Sequence, residues 1–195
     1  MQNSAVYLAS SSPRRHELLE QLGIEFTVVL AEIDETPQAN EAPLAYLVRM
    51  AEHKAEAAAI KIDVNDDDWI IAGDTSLVLD GEILGKPNDA NHAKSMLSQL
   101  SGRGHQVYSS IAVWHQGKVQ SSVNITEVNF AEIEEDEITA YVASGEPMDK
   151  AGAYAIQGQA ARWVKNINGS YSGVMGLPLY ELSQLLKQNG FHLRF

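Results

Sequence analysis

The sequence predicts an α/β protein with a mixed, twisted sheet flanked by helices. Short apolar runs alternate irregularly with stretches of helical periodicity along the chain. Both tight hairpin signals, such as Asp80-Gly81, and strand-to-helix crossovers occur, which favours a mixed sheet over a purely parallel one. With 195 residues, 45% of them hydrophobic, the chain is long enough to bury a sizeable core.

The first part of the chain is predicted to alternate strands and helices. Apolar runs of four or five residues indicate strands, and apolar positions three or four residues apart indicate helices. The predicted elements are a strand at Val6–Ala9, a helix from Pro13 to Gly23, a strand at Phe26–Leu30, a helix from Pro43 with an apolar stripe through Ala58, and a strand at Trp69–Ala72.

The remainder is predicted to contain two hairpins and three helices. Asp80-Gly81 and Gly117 mark the hairpin turns, and Asn88 or Asp89 is a natural helix cap. The predicted elements are strands at Leu77–Leu79 and Glu82–Leu84, a helix ending at Gly102, strands at Val107–Trp114 and Val119–Phe130, a helix near Glu134–Ala143, a strand near Trp163–Ile167, and a last helix through Leu179–Leu186.

The chain is strongly acidic. It has 14 lysines and arginines against 26 aspartates and glutamates, a formal charge of -12, and such a surface repels polyanions. We therefore expect neither nucleic acid nor a membrane as a partner. The chain has no cysteine, its first residues show no charged leader, and no apolar run approaches the roughly 18 residues of a spanning helix. These features predict a cytoplasmic protein.

The segment ASSSPRR, residues 9–15, predicts an anion site at the start of the first helix. Ser12 is a natural N-cap and Pro13 a natural first helical residue, so the helix is predicted to begin there. The free backbone N–H groups of its first turn would then point toward the serine turn. Arg14 and Arg15 oppose the helix dipole, which favours acidic side chains there by roughly 0.3–1 kcal/mol each, so a bound anion would offset the mismatch. Because successive helical residues diverge by about 100°, the two arginines are not expected to face one ligand. Two solvated arginines on a capped helix are the alternative.

Carboxylates and lysines elsewhere are candidates for metal and phosphate contacts. Asp74 follows a predicted strand and a glycine, where a carboxylate can hold a metal or a water. Glu35 could supply a second oxygen ligand, since Mg²⁺ typically uses one or two carboxylates with substrate phosphates. Lys54, Lys86 and Lys150 can neutralise phosphate charge. An ordinary turn aspartate, a solvated acidic loop and surface lysines are the alternatives, and spacing does not decide between them.

Other common catalytic arrangements are missing from the sequence. The six histidines form no H-x-x-x-H or H-x-H pair, which argues against a zinc site. The chain has neither a G-x-S-x-G elbow nor a G-x-x-x-x-G-K-[ST] loop. Serine hydrolases and P-loop ATPases are therefore disfavoured.

Five segments together resemble the signature motifs of the Maf family of nucleotide-binding enzymes. They are ASSSPRR at 9–15, AGDT at 72–75, LGKP at 84–87, DKAGAYAIQG at 149–158 and INGSYSGVMGLP at 167–178. They occur in the family's order and span nearly the whole chain. The resemblance implies a single Maf-like domain over residues 1–195, with a nucleotide cleft and a fold similar to that of inosine triphosphate pyrophosphatases.

The resemblance also implies an activity. Maf proteins release a nucleoside monophosphate and pyrophosphate from a nucleoside triphosphate, using a divalent cation such as Mg²⁺ or Mn²⁺. By motif, Asp74 becomes the proton acceptor or metal-linked base, Glu35 the second metal residue, and Lys54 and Lys86 catalytic lysines. The substrate contacts that the resemblance implies are Ser10, Ser12, Arg14, Arg15, Thr75, Lys150 and Gln157.

Three positions distinguish the branches of the family. Arg14, Thr75 and Gln157 match the branch that hydrolyses dTTP and UTP, whereas the 7-methyl-GTP branch has tryptophan at the first position and glutamine at the second. Ala155 stands where glycine is common in the family. The resemblance implies a house-cleaning enzyme for dTTP, UTP or modified pyrimidine nucleotides, and it also implies a homodimer. The alternatives are a pyrophosphatase for 7-methyl-GTP or non-standard purines, and a nucleotide-sensing regulator of septum formation or cell division.

Overall fold

The computed structural model describes residues 4–193, and the strands in this range form a mixed seven-stranded sheet. The strands are β1 (Val6–Leu8), β2 (Thr27–Val28), β3 (Trp69–Leu79), β4 (Glu82–Leu84), β5 (Gly104–His115), β6 (Lys118–Phe130) and β7 (Val164–Asn168). Their hydrogen-bonded order is β2-β1-β3-β5-β6-β7, with β4 also paired to β3. β1 runs parallel to β2 and β3, whereas β3–β4 and β6–β7 are antiparallel. The prediction of a mixed sheet is confirmed.

The same range contains six α-helices and three short 3-10 turns. The helices are α1 (Pro13–Gln21), α2 (Pro43–Ile62), α3 (Ala90–Leu100), α4 (Glu135–Ala143), α5 (Tyr171–Met175) and α6 (Leu179–Gln188), and the 3-10 turns lie at Glu146–Asp149, Ala151–Ala153 and Gln159–Trp163. All helices except α5 were predicted. α5 and the 3-10 turns are too short to show a repeating apolar pattern. Among the described residues, no helix has both the length and the apolar character needed to cross a membrane.

The extent of β3 differs from the prediction. The strand does not stop at Ala72 but continues to Leu79, an unbroken run of 11 residues. Gly73 has no Cβ, and this lets β3 continue close to β5. A Cβ at position 73 would lie only 3.0 Å from the backbone oxygen of Ser110 in β5. Asp74 therefore lies inside a strand rather than at its end.

The chain divides into two compact units. The first comprises the chain through Asp74, Ser109–Asn124 and the chain from Gly176 onward, and the second comprises Thr75–Tyr108 and Ile125–Met175. β3, β5 and β6 each contribute residues to both units.

The core of the first unit contains the buried face of α2. Small residues recur there at helical spacing and pack with apolar residues of β1, β3 and β5; the α2 members are Ala51, Ala55, Ala58 and Ala59. Alanine side chains let a helix approach a sheet closely. This packing places Lys54, the neighbour of buried Ala55, near the middle of β3. β2 is shorter than the predicted strand at Phe26–Leu30, since only two residues pair with β1.

The core of the second unit combines α3 and α4 with an aromatic cluster. Asp89 is the N-cap of α3, and its carboxylate accepts a hydrogen bond from His92 N at 2.8 Å, so the second of the two predicted caps is the one observed. The aromatic cluster contains Phe130, Tyr141, Tyr154 and Trp163, with ring centroids of neighbouring pairs 4.8 to 6.4 Å apart. These rings support the segment that follows α4.

Candidate functional site

A lysine lies between two carboxylates at the middle of β3, within the first unit. Lys54 Nζ on α2 donates to Asp74 Oδ1 at 2.8 Å and lies 2.9 Å from Glu35 Oε1. The side chains of Lys54 and Asp74 are only 19% and 17% exposed, whereas that of Glu35 is 60% exposed. Three residues predicted from separate segments of the chain therefore meet in space.

The charges in this cluster favour the protonated form of Lys54. Burial by itself lowers the pKa of Lys54, but the charge of Asp74 and the hydrogen bonds to Asp74 and Glu35 outweigh burial, and the pKa lies above its usual value. The ammonium group therefore stays charged and holds the two carboxylates close together.

Arg15 is fixed near the start of α1. Its Nε donates to the backbone oxygen of Gly176 at 2.7 Å, and its Nη1 donates to Ser10 Oγ at 3.3 Å. Ser10 Oγ also accepts a hydrogen bond from Ser12 N at 3.2 Å. Burial lowers the pKa of Arg15, while the charge of Asp74 acts in the opposite direction. Arginine remains protonated after such a shift. The positive charge of Arg15 therefore interacts favourably with the carboxylate of Asp74.

The predicted start of α1 is confirmed in position but not in the details of its cap. Ser12 occupies the N-cap position and Pro13 the first turn, yet the Ser12 side chain forms no capping hydrogen bond. The side chain of Ser10 organises the turn instead. Arg14 is half-exposed on the helix, whereas Arg15 extends to the backbone of Gly176.

Side chains of α2 hold the acidic loop that contains Glu35. Tyr46 OH donates to the Glu35 backbone oxygen at 3.0 Å, and Arg49 Nη2 donates to the Thr36 backbone oxygen at 3.1 Å. Arg49 also binds Glu41 through two hydrogen bonds of 2.7 and 2.6 Å, and these bonds lower the pKa of Glu41 to about 2. Tyr46 and Arg49 were not predicted, because polar side chains on a helix usually face solvent and no motif distinguished them.

The other predicted residues lie in the second unit. Lys86 is exposed just after β4, and Thr75 is half-buried in β3. The Lys150 side chain is 14% exposed, and its ammonium contacts the carboxylate of the preceding residue and the backbone oxygen of Glu146, the latter at 3.4 Å. Gln157 is exposed in a turn. Their predicted contacts with a nucleotide stay predictions.

The donor chemistry of the first unit fits a divalent cation that is bound together with phosphate. Residues 4–193 contain no group of three or more histidine, cysteine, aspartate or glutamate side chains arranged to hold a metal. Asp74 and Glu35 offer hard oxygen donors, and Mg²⁺ often takes only one or two carboxylates, with substrate phosphates and waters completing its shell. The pair therefore fits the metal residues expected from the sequence.

The fold and the cluster define an α/β protein in which paired carboxylates, a lysine and a fixed arginine lie near one helix N-terminus. The fold is similar to that of the solved Ham1 protein of Staphylococcus aureus, with a TM-score of 0.56 and 17% identity over 95% of this chain and 100% of that chain. The predicted fold class is confirmed by this likeness.

The chain belongs to the Maf family, since the family model described as Maf-like protein matches residues 5–189. The dTTP/UTP pyrophosphatase of Nitrosomonas europaea is 48% identical over 197 residues, covering 96% of this chain and 95% of the relative. The dTTP/UTP pyrophosphatase of Chromobacterium violaceum is 47% identical over 193 residues, covering 98% of both chains. The family predicted from the five motifs is confirmed.

Proposed function

We propose that this chain is a nucleoside triphosphate pyrophosphatase that cuts dTTP and UTP between the α- and β-phosphates, releasing the monophosphate and pyrophosphate. The observation that carries the proposal is Lys54 held between Asp74 and Glu35. The names of relatives 47 to 48% identical to this chain support the substrate. Arg14, Thr75 and Gln157, which match the pyrimidine branch, support it independently.

Asp74 is the proposed proton acceptor. Lys54 binds one oxygen of this carboxylate at 2.8 Å and so fixes its orientation. Water attacks the α-phosphorus in line with the departing pyrophosphate, and Asp74 accepts the proton that the water loses. A positioned general base of this kind accelerates a reaction by about 10²–10⁴-fold.

The start of α1 is proposed to hold phosphate oxygens. Arg15 is proposed to offset negative charge on the triphosphate together with the positive end of the α1 dipole. Arg14, which diverges from Arg15 on the helix, is proposed to contact another part of the nucleotide. The Ser10 hydroxyl accepts hydrogen bonds from Ser12 N and Arg15 and retains its own hydrogen, which it can donate to a phosphate oxygen. Ser12 is proposed to contact the same phosphate group.

Glu35 and Asp74 would hold the divalent cation, Mg²⁺ or Mn²⁺, whose charge would stabilise the phosphate oxygens when it is bound. Glu35 is the more exposed of the two carboxylates. Tyr46 and Arg49 restrict the movement of its loop through the hydrogen bonds to the backbone oxygens of Glu35 and Thr36.

The roles of residues in the second unit are proposed from the family motifs. Lys86 is a catalytic lysine, and Lys150 offsets phosphate charge. Thr75 and Gln157 contact the nucleotide, and the Gln157 amide offers both a donor and an acceptor to a uracil-like edge. We also propose that residues 1–195 act as a single Maf-like domain with a nucleotide cleft, which the match over residues 5–189 supports.

The proposed cellular role is house-cleaning of pyrimidine nucleotides in the cytoplasm. Its partner is a small-molecule triphosphate, and its assembly is a homodimer. The acidic composition and the absence of cysteine support the location and the choice of partner, and the family resemblance supports the dimer.

Pyrophosphate release tests the proposal directly. The substrates are dTTP, UTP, CTP, GTP, ITP and 7-methyl-GTP, each with and without Mg²⁺ or Mn²⁺. We expect metal-dependent release mainly from dTTP and UTP, with Asp74→Asn lowering turnover by about 10²–10⁴-fold. Asp67→Asn makes the same chemical change at an exposed loop position and should retain wild-type turnover.

Other outcomes would contradict the proposal in distinct ways. Release mainly from 7-methyl-GTP or ITP would assign the enzyme to the purine alternative. Nucleotide binding without release from any substrate would favour the sensing role.

A further inference from the structure

Gln157 lies in a turn that is closed by its own backbone. Gly158 N donates to the Ala155 backbone oxygen at 3.0 Å. Ala155 and Ile156 are buried, whereas Gln157 is exposed. The turn therefore begins with two buried residues and exposes the polar side chain of Gln157.

Two side chains outside the turn bind both of its ends. Glu146 Oε1 accepts a hydrogen bond from Gln159 N at 3.1 Å. At the other end, Tyr141 OH accepts a hydrogen bond from Ala155 N at 3.3 Å. The same hydroxyl donates to Glu146 Oε1 at 3.0 Å, so one carboxylate connects both ends of the turn.

The close approach of Glu146 to the turn depends on Gly158. A Cβ at position 158 would lie only 2.0 Å from Glu146 Oε1, so any larger residue would displace the carboxylate. Tyr141 is itself fixed, since it is 3% exposed and its ring packs edge-on against Trp163 with centroids 5.0 Å apart. The support of the turn is therefore rigid on the side of α4.

We propose that Glu146 and Tyr141 are positioning residues that fix Gln157 for selection of the nucleobase, an inference that rests on the proposed function. An amide selects a base edge by placing a donor and an acceptor at set positions. A turn held at residues 155 and 159 keeps that placement at little entropic cost on binding. Glu146 and Tyr141 act through the turn and need no contact with the nucleotide.

The test compares Glu146→Ala with Glu146→Gln, which keeps an oxygen acceptor for Gln159 N. Glu135→Ala is the matched control, since Glu135 is an exposed glutamate in α4. For Glu146→Ala we expect KM for dTTP and UTP to rise about tenfold, with kcat little changed. The variant loses the hydrogen bond from Gln159 N to a charged carboxylate, so the turn that carries Gln157 is held less firmly when the nucleotide binds. CTP should be affected less, so the preference for dTTP over CTP narrows. Glu146→Gln should restore most of that preference.

Amide hydrogen exchange provides a readout that does not depend on activity. The amides of Ala155 and Gln159 should exchange about tenfold faster in Glu146→Ala than in the wild type, and Glu135→Ala should leave them unchanged. If Glu146→Ala fails to fold, Tyr141→Phe decides the question. It removes the acceptor of Ala155 N and should narrow the same preference, whereas Glu146→Gln should retain it.

The outcomes separate this inference from the proposed function. An active wild type whose substrate preference is unchanged by these variants would overturn the positioning role alone. An equal loss of kcat/KM for every triphosphate would indicate a purely structural role and would also overturn it. A wild type that releases no pyrophosphate from any triphosphate would overturn the proposed function, and base selection with it.

Discussion

Lowering the pH from about 7.5 to about 5 should destabilise the second unit through one buried histidine. His105 in β5 is 3% exposed, and its Nε2 forms a 2.8 Å hydrogen bond with the Tyr154 hydroxyl. Its Nδ1 has no hydrogen-bond partner among the described residues, and the rings of Phe130 and Tyr154 pack beside it. Burial lowers the pKa of His105 to about 4, because a charged imidazolium would be poorly solvated there.

The sign and size of the effect follow from proton linkage. The unfolded chain, with a histidine pKa of 6.5, takes up the proton at higher pH than the folded chain. The contribution of neutral His105 to stability is therefore fully present above pH 6.5 and is lost as the pH falls from 6.5 toward about 4. The difference between the folded and unfolded pKa values of His105 corresponds to about 3 kcal/mol in the free energy of unfolding. About 2 kcal/mol of this free energy is lost between pH 7.5 and pH 5.

Urea unfolding followed by tryptophan fluorescence measures this loss. The variant His105→Gln keeps an amide that can pair with Tyr154 and does not titrate. Between pH 7.5 and pH 5 the wild type should lose about 2 kcal/mol more free energy of unfolding than this variant. His192→Gln, at an exposed position, should show the wild-type loss.

Two results would refute the reasoning. The first is an equal loss of stability in the wild type and in His105→Gln over this pH range. The second is an NMR titration in which the His105 ring takes up its proton near pH 6.5 in the folded protein.

Three further predictions concern residues near the proposed nucleotide contacts. Gly73→Ala should lower the free energy of unfolding by roughly 1–3 kcal/mol, because its Cβ would press on a backbone oxygen of β5, whereas Gly85→Ala, with open space around it, should change stability little in the same urea experiment. Arg49→Lys retains the charge but loses the two-point bond to Glu41, so KM for dTTP should rise several-fold as the acidic loop loosens, and an unchanged KM would show that the loop needs no such support. Gln157→Glu should weaken turnover of dTTP and UTP, and unchanged kinetics would reject the role of Gln157 in base selection.

Local chemistry explains why many elements were predictable. The cap of α3 depends on Asp89 and His92, which are three residues apart. The β3–β4 turn depends on Asp80 and Gly81, both of which adopt positive φ, at 52° and 87°. Such features involve neighbouring residues only, and residue type therefore indicates them without knowledge of the rest of the fold.

Elements that depend on distant contacts were predicted less well. β3 was expected to end at Ala72, because a glycine and an aspartate interrupt its apolar run. In the structure the strand continues, since Gly73 lets β3 lie directly against Ser110 of β5. The bond of Arg49 to Glu41 crosses the start of α2, and the bond of Glu146 to Gln159 joins residues that are 13 positions apart. Neither contact leaves a periodic pattern in the sequence.

The sequence by itself determined the α/β class and the family, and it identified Asp74, Glu35 and Lys54 as candidate site residues. Motifs and apolar spacing are properties of neighbouring residues and can therefore be read without the fold. Only the tertiary structure decided that these three side chains meet within 2.9 Å and that Arg15 binds the backbone of Gly176, 161 residues away. Those contacts depend on strand order and on the packing of α2 against the sheet. Both are set by burial of apolar surface over the whole chain, which no short segment specifies.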